Sequence, residues 1–160
     1  MLPGVYRSRM DKTFLVEQLR AKLSTLANSS ARAADDARID AKTGANRAVN
    51  LAKGIVQRSN EALADVELLS TFTVRPLSRG ELIGVGAVVE LEDDGGSGRT
   101  VFIAPAGAGQ ELTGPGGDGF FQVVTPLSPM GRALMGKRVG ETIDFTVQGE
   151  VTEWTIVYAA

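Results

Sequence analysis

With 160 residues, of which 43% are hydrophobic and 22% charged, the chain can build one or two small domains and is too apolar for disorder throughout. It contains neither Cys nor His. Disulfides, thiolate zinc sites, Cys nucleophiles and Ser-His-Asp catalysis are therefore excluded, and carboxylates remain as the plausible metal ligands. The net charge of −2 is unevenly spread: residues 1–70 carry 11 Lys and Arg against 8 Asp and Glu, and residues 71–160 carry 6 against 11.

Glycine divides the chain at the same place, since only Gly4, Gly44 and Gly54 of the 19 glycines precede residue 71. Helix should dominate the first part and turns the second. Residues 1–10 read as a tail, with Met10 an alternative start. The basic stretch MLPGVYRSR is not followed by an apolar leader core, and no run approaches the ~20 residues of a membrane span, which predicts a cytoplasmic protein.

Ser8 with Asp11 three residues on forms a capping box at the start of a first helix. Val16, Leu19, Leu23, Leu26, Ser30, Ala33 and Ala37 then follow alternating spacings of three and four, a heptad seam. Ala48, Ala52, Ile55, Ser59, Ala62, Val66 and Leu69 form a second seam. Each residue of the first seam pairs with one of the second at a constant sum of residue numbers. That predicts an antiparallel hairpin over 11–70 with its tip near 40–45 and Gly44 in the turn, where positive φ is tolerated. From Val16 to Asp40 the arm measures roughly 36 Å at the helical rise per residue. An ordinary helical bundle would need a third helix of similar length, and none follows.

Beyond residue 70 the pattern becomes strand-like. Leu82 to Leu91 predicts a strand in which Gly84 and Gly86 are strand glycines or bulges. A turn at Asp93–Gly96 leads to a second strand at Thr100–Ile103. The Gly-rich stretch 107–119 lacks the Gly-Lys-Ser/Thr ending of a phosphate loop and reads as a mobile connection. Strands follow at Phe120–Val124, Thr142–Val147 and Trp154–Tyr158, the last two joined by a Gln148-Gly149-Glu150 turn. Trp154, Ile156 and Tyr158 share one strand face and read as core. Between them lies a short helix, with Ser128 as cap, Pro129 in its first turn and Gly136 at its end.

The segment Ser128-Pro129-Met130-Gly131-Arg132-Ala133-Leu134-Met135-Gly136-Lys137-Arg138-Val139-Gly140-Glu141 closely resembles the C-terminal motif of the Gre transcript-cleavage factors. In that family Ser-Pro opens a short helix, and a Gly-Lys/Arg-x-x-Gly-Asp/Glu segment leads into a strand. The resemblance implies an α+β fold: an N-terminal antiparallel helical hairpin (a coiled coil) and, over 71–160, an antiparallel β-sheet domain with one short helix, like that of FK506-binding proteins. It implies a factor that binds bacterial RNA polymerase at its secondary channel, with docking at Ser128 and Pro129 and only indirect contact with the RNA 3′ end. Leu127 stands where some members carry an acid. Acidic residues at the hairpin tip would help the polymerase hold a second Mg²⁺ and cut backtracked RNA, so the chain would have no catalytic residues of its own and no tightly bound cofactor.

Asp40 falls at the position of the first family acid, but Thr43 occupies the approximate position of the next. Asp35 and Asp36 lie nearby, and Asp36 shares a helix face with Asp40. Between residues 34 and 47, Arg38, Lys42 and Arg47 balance the three aspartates. Asp35, Asp36 and Asp40 are candidate ligands of the shared Mg²⁺, or equally solvated residues of a turn. Three functions follow: a cleavage-stimulating factor, a channel regulator that competes with such factors without promoting cleavage, and, from the fold alone, a peptidyl-prolyl isomerase or chaperone.

Overall fold

The computed structural model describes residues 12–42, 46–114, 117 and 119–160, with the side chains of 40, 41 and 46–48 outside the description. The expected tail, the Ser8–Asp11 capping box and the turn at Thr43 and Gly44 fall outside the described residues. Two long helices come first, α1 (Lys12–Ala41) and α2 (Asn46–Ser70). Six strands and a short helix follow: β1 (Val88–Asp93), β2 (Gly98–Ile103), β3 (Glu111–Thr113), β4 (Phe120–Val124), α3 (Pro129–Leu134), β5 (Thr142–Val147) and β6 (Glu150–Ala159). Contacts group the chain into two compact units, one of Gln18–Phe72 and one in which the segment ending at Glu17 joins Thr73–Ala160. The first turns of α1 therefore belong with the sheet, whereas the heptad pattern places them with the hairpin.

In the helical unit, the Arg20 guanidinium donates to the Leu69 carbonyl at 2.8 Å. Toward the other end, Arg38 shares a groove with Val49 and Ala52. The start of one helix thus meets the end of the other, and the pair is antiparallel. From Ala52 on, the α2 seam is as its spacing predicts, with Ala52, Ser59 and Leu69 buried and Ile55, Ala62 and Val66 half-buried, while the side chain of Ala48 lies outside the description. The α1 seam differs. Val16, Leu19, Leu23, Ala27 and Ala34 are buried, while Leu26 is 44% exposed and Ala33 is exposed. Within the helical unit the buried positions advance from Leu19 to Leu23, Ala27 and Ala34 by steps of four, four and seven, so the buried face drifts away from a 3.5-residue heptad repeat.

The sheet has the order β3-β4-β2-β1-β6-β5. All its pairs are antiparallel except β2 with β4, which run parallel from Val101 opposite Gln122 to Ile103 opposite Val124. The sheet is therefore mixed. The stretch between β2 and β4 explains the exception: it makes β3 at the sheet edge and returns antiparallel as β4 between β3 and β2. Positive φ angles at Gly107 and Gly109 let the chain double back there. The Gly-rich stretch thus contains a short strand that its composition did not reveal.

The expected strand from Leu82 begins only at Val88. Gly86 adopts φ 95° and donates to the Ile103 carbonyl at 2.7 Å, so it turns the chain into the sheet instead of lying within a strand. On one face of the sheet, Val89, Leu91, Val101, Ile103, Ile143, Trp154 and Ile156 form the core, onto which α3 packs through Met130 and Leu134. Each of those two helix side chains contributes about 2 kcal/mol through burial. Val88 and Phe102, which alternate with the core residues, are also fully buried, so the centre of the sheet is covered on both faces.

Candidate functional site

The corner at residues 125–141 is built around the Ser128 hydroxyl. It donates to the Thr125 carbonyl at 2.8 Å, and its oxygen lies 3.2 Å from the Gly131 amide and 3.3 Å from the Thr125 amide, both of which donate to it. One side chain thereby caps α3 and closes the preceding turn, with Pro129 at the first helical position as predicted. Leu127 and Pro129, on either side of Ser128, are exposed, Leu127 at 78%, so the corner presents an apolar tip that the half-buried Ser128 holds in place.

Gly131 is the residue that sequence reasoning missed. A Cβ at this position would lie 1.8 Å from the Thr125 carbonyl oxygen and 2.9 Å from Ser128 Oγ. Only glycine lets α3 approach the turn closely enough for the Ser128 bonds to form. The sequence gives no sign of this closeness beyond a glycine inside a helix, where it is otherwise disfavoured.

The chain leaves α3 through Met135 and Gly136, the latter at φ 77°. The following segment is clamped by backbone bonds to two partners. Gly136 donates to Ile83 and Ile83 to Lys137, at 2.9 and 2.8 Å; Gly140 donates to Ile156 and Ile156 to Glu141, at 2.8 and 2.9 Å. Glu141 closes the loop between the clamps, accepting from the Arg138 amide at 2.6 Å. The Gly-Lys-Arg-Val-Gly-Glu motif is thus the rigid link from α3 to β5.

The hairpin candidates are arranged differently. Asp35 is exposed and its carboxylate lies 3.3 Å from the Arg38 guanidinium, an i,i+3 surface pair worth less than about 1 kcal/mol. Asp36 is exposed beside it. Asp40 belongs to α1, but its side chain is outside the described residues. Among the described residues no group of three carboxylates converges on a metal position. Asp35 and Asp36 are successive residues whose side chains diverge around the helix, and Arg38 occupies the first.

Among the described residues, no helix is long and apolar enough to cross a membrane. A family model for the C-terminal part of the transcription elongation factors GreA and GreB matches residues 78–159, just over half of the chain, including the whole Ser128 corner. The chain belongs to the GreA/GreB family. It is 31% identical over 106 residues to the transcription inhibitor protein Gfh1 of Thermus aquaticus, a stretch covering 66% of this chain and 62% of that protein. Its match to a Gfh1 of Thermus thermophilus is 30% over 106 residues, covering 66% and 63%. The chain thus spans less than two thirds of the length of these curated relatives. Among solved structures, that of the transcription factor Gfh1 is 25% identical, covers 94% of each chain and has a TM-score of 0.43. A GreA/GreB factor from Nitrosomonas europaea is 16% identical over 61% of this chain and 78% of its own, with a TM-score of 0.39.

Proposed function

We propose that this member of the GreA/GreB family binds bacterial RNA polymerase at the secondary channel and regulates it without stimulating transcript cleavage, competing with the factors that do. The observation that carries this reading is the charge at the hairpin's far end. Arg38 pairs with Asp35, Thr43 stands in place of the second acid, and the described carboxylates do not converge. A tip whose aspartates are matched by neighbouring cations attracts a divalent ion poorly. The names of the Thermus relatives, transcription inhibitor proteins, agree with this direction. Docking falls to the Ser128–Pro129 corner, where the exposed Leu127 and Pro129 are the contact side chains and Ser128 fixes their position.

The test is an assay of RNA cleavage by stalled, backtracked polymerase. The protein alone should give no cleavage above that of polymerase, and in excess it should lower the cleavage produced by an authentic Gre factor. Cleavage matching that of the authentic factor would overturn the non-cleaving reading, and failure to compete would overturn channel binding.

Cleavage stimulation is the second reading, favoured by Asp36 and Asp40 sharing one face of the continuous helix α1. It requires that Asp40→Asn lower the cleavage rate at least about tenfold, or ~1.4 kcal/mol on the barrier, with polymerase binding unchanged. The isomerase reading lacks support: Phe102 and Phe121 are fully buried, and Tyr158 is the one aromatic side chain lining the groove formed by residues 74–81 and the end of β6.

A further inference from the structure

We propose that a groove in the sheet unit, away from Ser128 and Pro129, binds a phosphorylated small molecule of nucleotide size. The groove has a volume of about 950 Å³ and is formed by the first turn of α1, residues 74–81, Arg138 and Val139, and the end of β6. That volume lies at the upper end of the range for small-molecule pockets. Neither Ser128 nor Pro129 lines it.

Its charge is one-sided. Lys12, Arg75, Arg79 and Arg138 all line it, against a single carboxylate side chain, Glu81. Glu81 is already engaged, with one oxygen on the Arg75 guanidinium and the other accepting from the Ser78 amide at 2.8 Å. Arg138 spends its Nε on the Gly80 carbonyl at 3.2 Å, which aims the guanidinium and leaves its terminal amino groups available. Arg79 has no ion pair or side-chain hydrogen bond among the described residues.

Lys12 is the most unusual of the four. It is 6% exposed and has no carboxylate within salt-bridge distance among the described residues. Burial, and after it the nearby Arg75, press its ammonium below the ordinary lysine value, with Glu81 opposing. An ammonium partly withdrawn from water and close to a second cation favours an anion beside it.

The chemistry of the walls selects the ligand class. Several cations in one concavity ask for several negative charges close together, and guanidinium forks match phosphate oxygens in bidentate geometry. Leu77, Val139 and Val157 supply an apolar wall for the carbon part of the ligand. A nucleoside diphosphate combines both features. A single carboxylate would leave most of the cations unmatched.

The experiment uses the full chain, titrated with inorganic pyrophosphate and with ADP and followed by amide NMR and calorimetry. Both probes should bind, shifting the amides of Arg79, Gly80 and Val157 to Ala159. ADP should bind more tightly than pyrophosphate because it also meets the apolar wall. The exposed substitution Arg79→Glu and, separately, Arg138→Gln should each weaken binding at least about tenfold, with thermal melts confirming that both variants fold. Arg132→Ala on α3, outside the groove, should leave affinity unchanged. The proposal is overturned if neither probe shifts the groove amides at millimolar concentration, or if Arg132→Ala weakens binding as much as Arg79→Glu does. It is also overturned if hexaglutamate displaces ADP at equal concentration, because the groove would then be a docking strip for acidic protein. None of these outcomes depends on polymerase, so the groove and the proposed regulatory role succeed or fail separately.

Discussion

Replacing Gly131 with Ala sets two effects of opposite sign against each other. Intrinsic helix propensity favours Ala over Gly by about 1 kcal/mol. The structure opposes it, because the new Cβ would sit 1.8 Å from the Thr125 carbonyl oxygen and 2.7 Å from its carbon, whereas unstrained carbon–oxygen contacts begin near about 3.3 Å. The obstacle is backbone, so no rotamer change relieves it. Either α3 or the Thr125–Ser128 turn must move by about an ångström or more. Overpacking of this kind costs about 1–3 kcal/mol, and the movement pulls the Gly131 amide from Ser128 Oγ, losing a cap worth about 1 kcal/mol. Net of the propensity gain, the loss is about 1–3 kcal/mol, a large share of the stability of a small domain.

Urea unfolding followed through Trp154, the sole tryptophan, reads this directly, because Trp154 packs in the same core as Met130 and Leu134. With a slope of about 1–3 kcal/mol per molar urea, the midpoint should fall by about 1 M. A midpoint that is unchanged or raised would mean that propensity wins, and the account of Gly131 as the residue that lets the corner close would be wrong.

Two electrostatic predictions follow from the titrating groups. The Arg75 guanidinium and the Ser78 amide hold the Glu81 carboxyl down at about 2 against an ordinary 4.5. Because the folded value is the lower one, Glu81 favours the folded state above about pH 4.5, and that contribution is lost as pH falls toward 2. An NMR titration of the Glu81 carboxyl should have its midpoint near 2, and a midpoint near 4.5 in the wild type would refute the pairing. In α2, Asp65 is shifted the other way, upward, by burial first and by Glu61 second. Its ionised form therefore disfavours the folded hairpin at neutral pH, a penalty that disappears once pH drops below the unfolded value. Asp65→Asn should raise the helical melting temperature at pH 7 and have little effect at pH 3; a lower melting temperature at pH 7 would count against the shift.

The elements with local punctuation were legible in the sequence, and those set by distant partners were not. Ser128, Pro129 and Gly136 marked both ends of α3 because capping is a matter of a few adjacent residues. The α2 seam, β4 and β5 followed from periodicity alone. The start of β1 was misplaced because an apolar run interrupted by Gly84 and Gly86 looks the same whether the second glycine extends a strand or, at φ 95°, turns the chain. The parallel pairing of β2 with β4 and the three-residue β3 leave no periodic trace. At the candidate site, the capping roles of Ser128 and Pro129 were readable from the motif, whereas the need for Gly131 depends on how near Thr125 comes. The basic groove was hidden for a simpler reason: Lys12, Arg79 and Arg138 are scattered along the sequence and meet only in the fold.

The place of β6 within the sheet has a consequence for biogenesis. Although it follows all the other strands in the chain, it is not an edge strand; it lies between β1 and β5, pairing with both. The sheet's unit also takes in chain from both sides of the hairpin. During synthesis the helical arms can zip together as soon as they emerge, because α1 and α2 are neighbours in the chain. The sheet must wait for its final strand, holding apart until then an unpaired flank of β1 rich in valine and leucine. Nascent chains stalled before residue 150 should therefore carry a formed hairpin and an open, aggregation-prone half-sheet, and completion of the sheet unit should be the slow, chaperone-sensitive step of maturation.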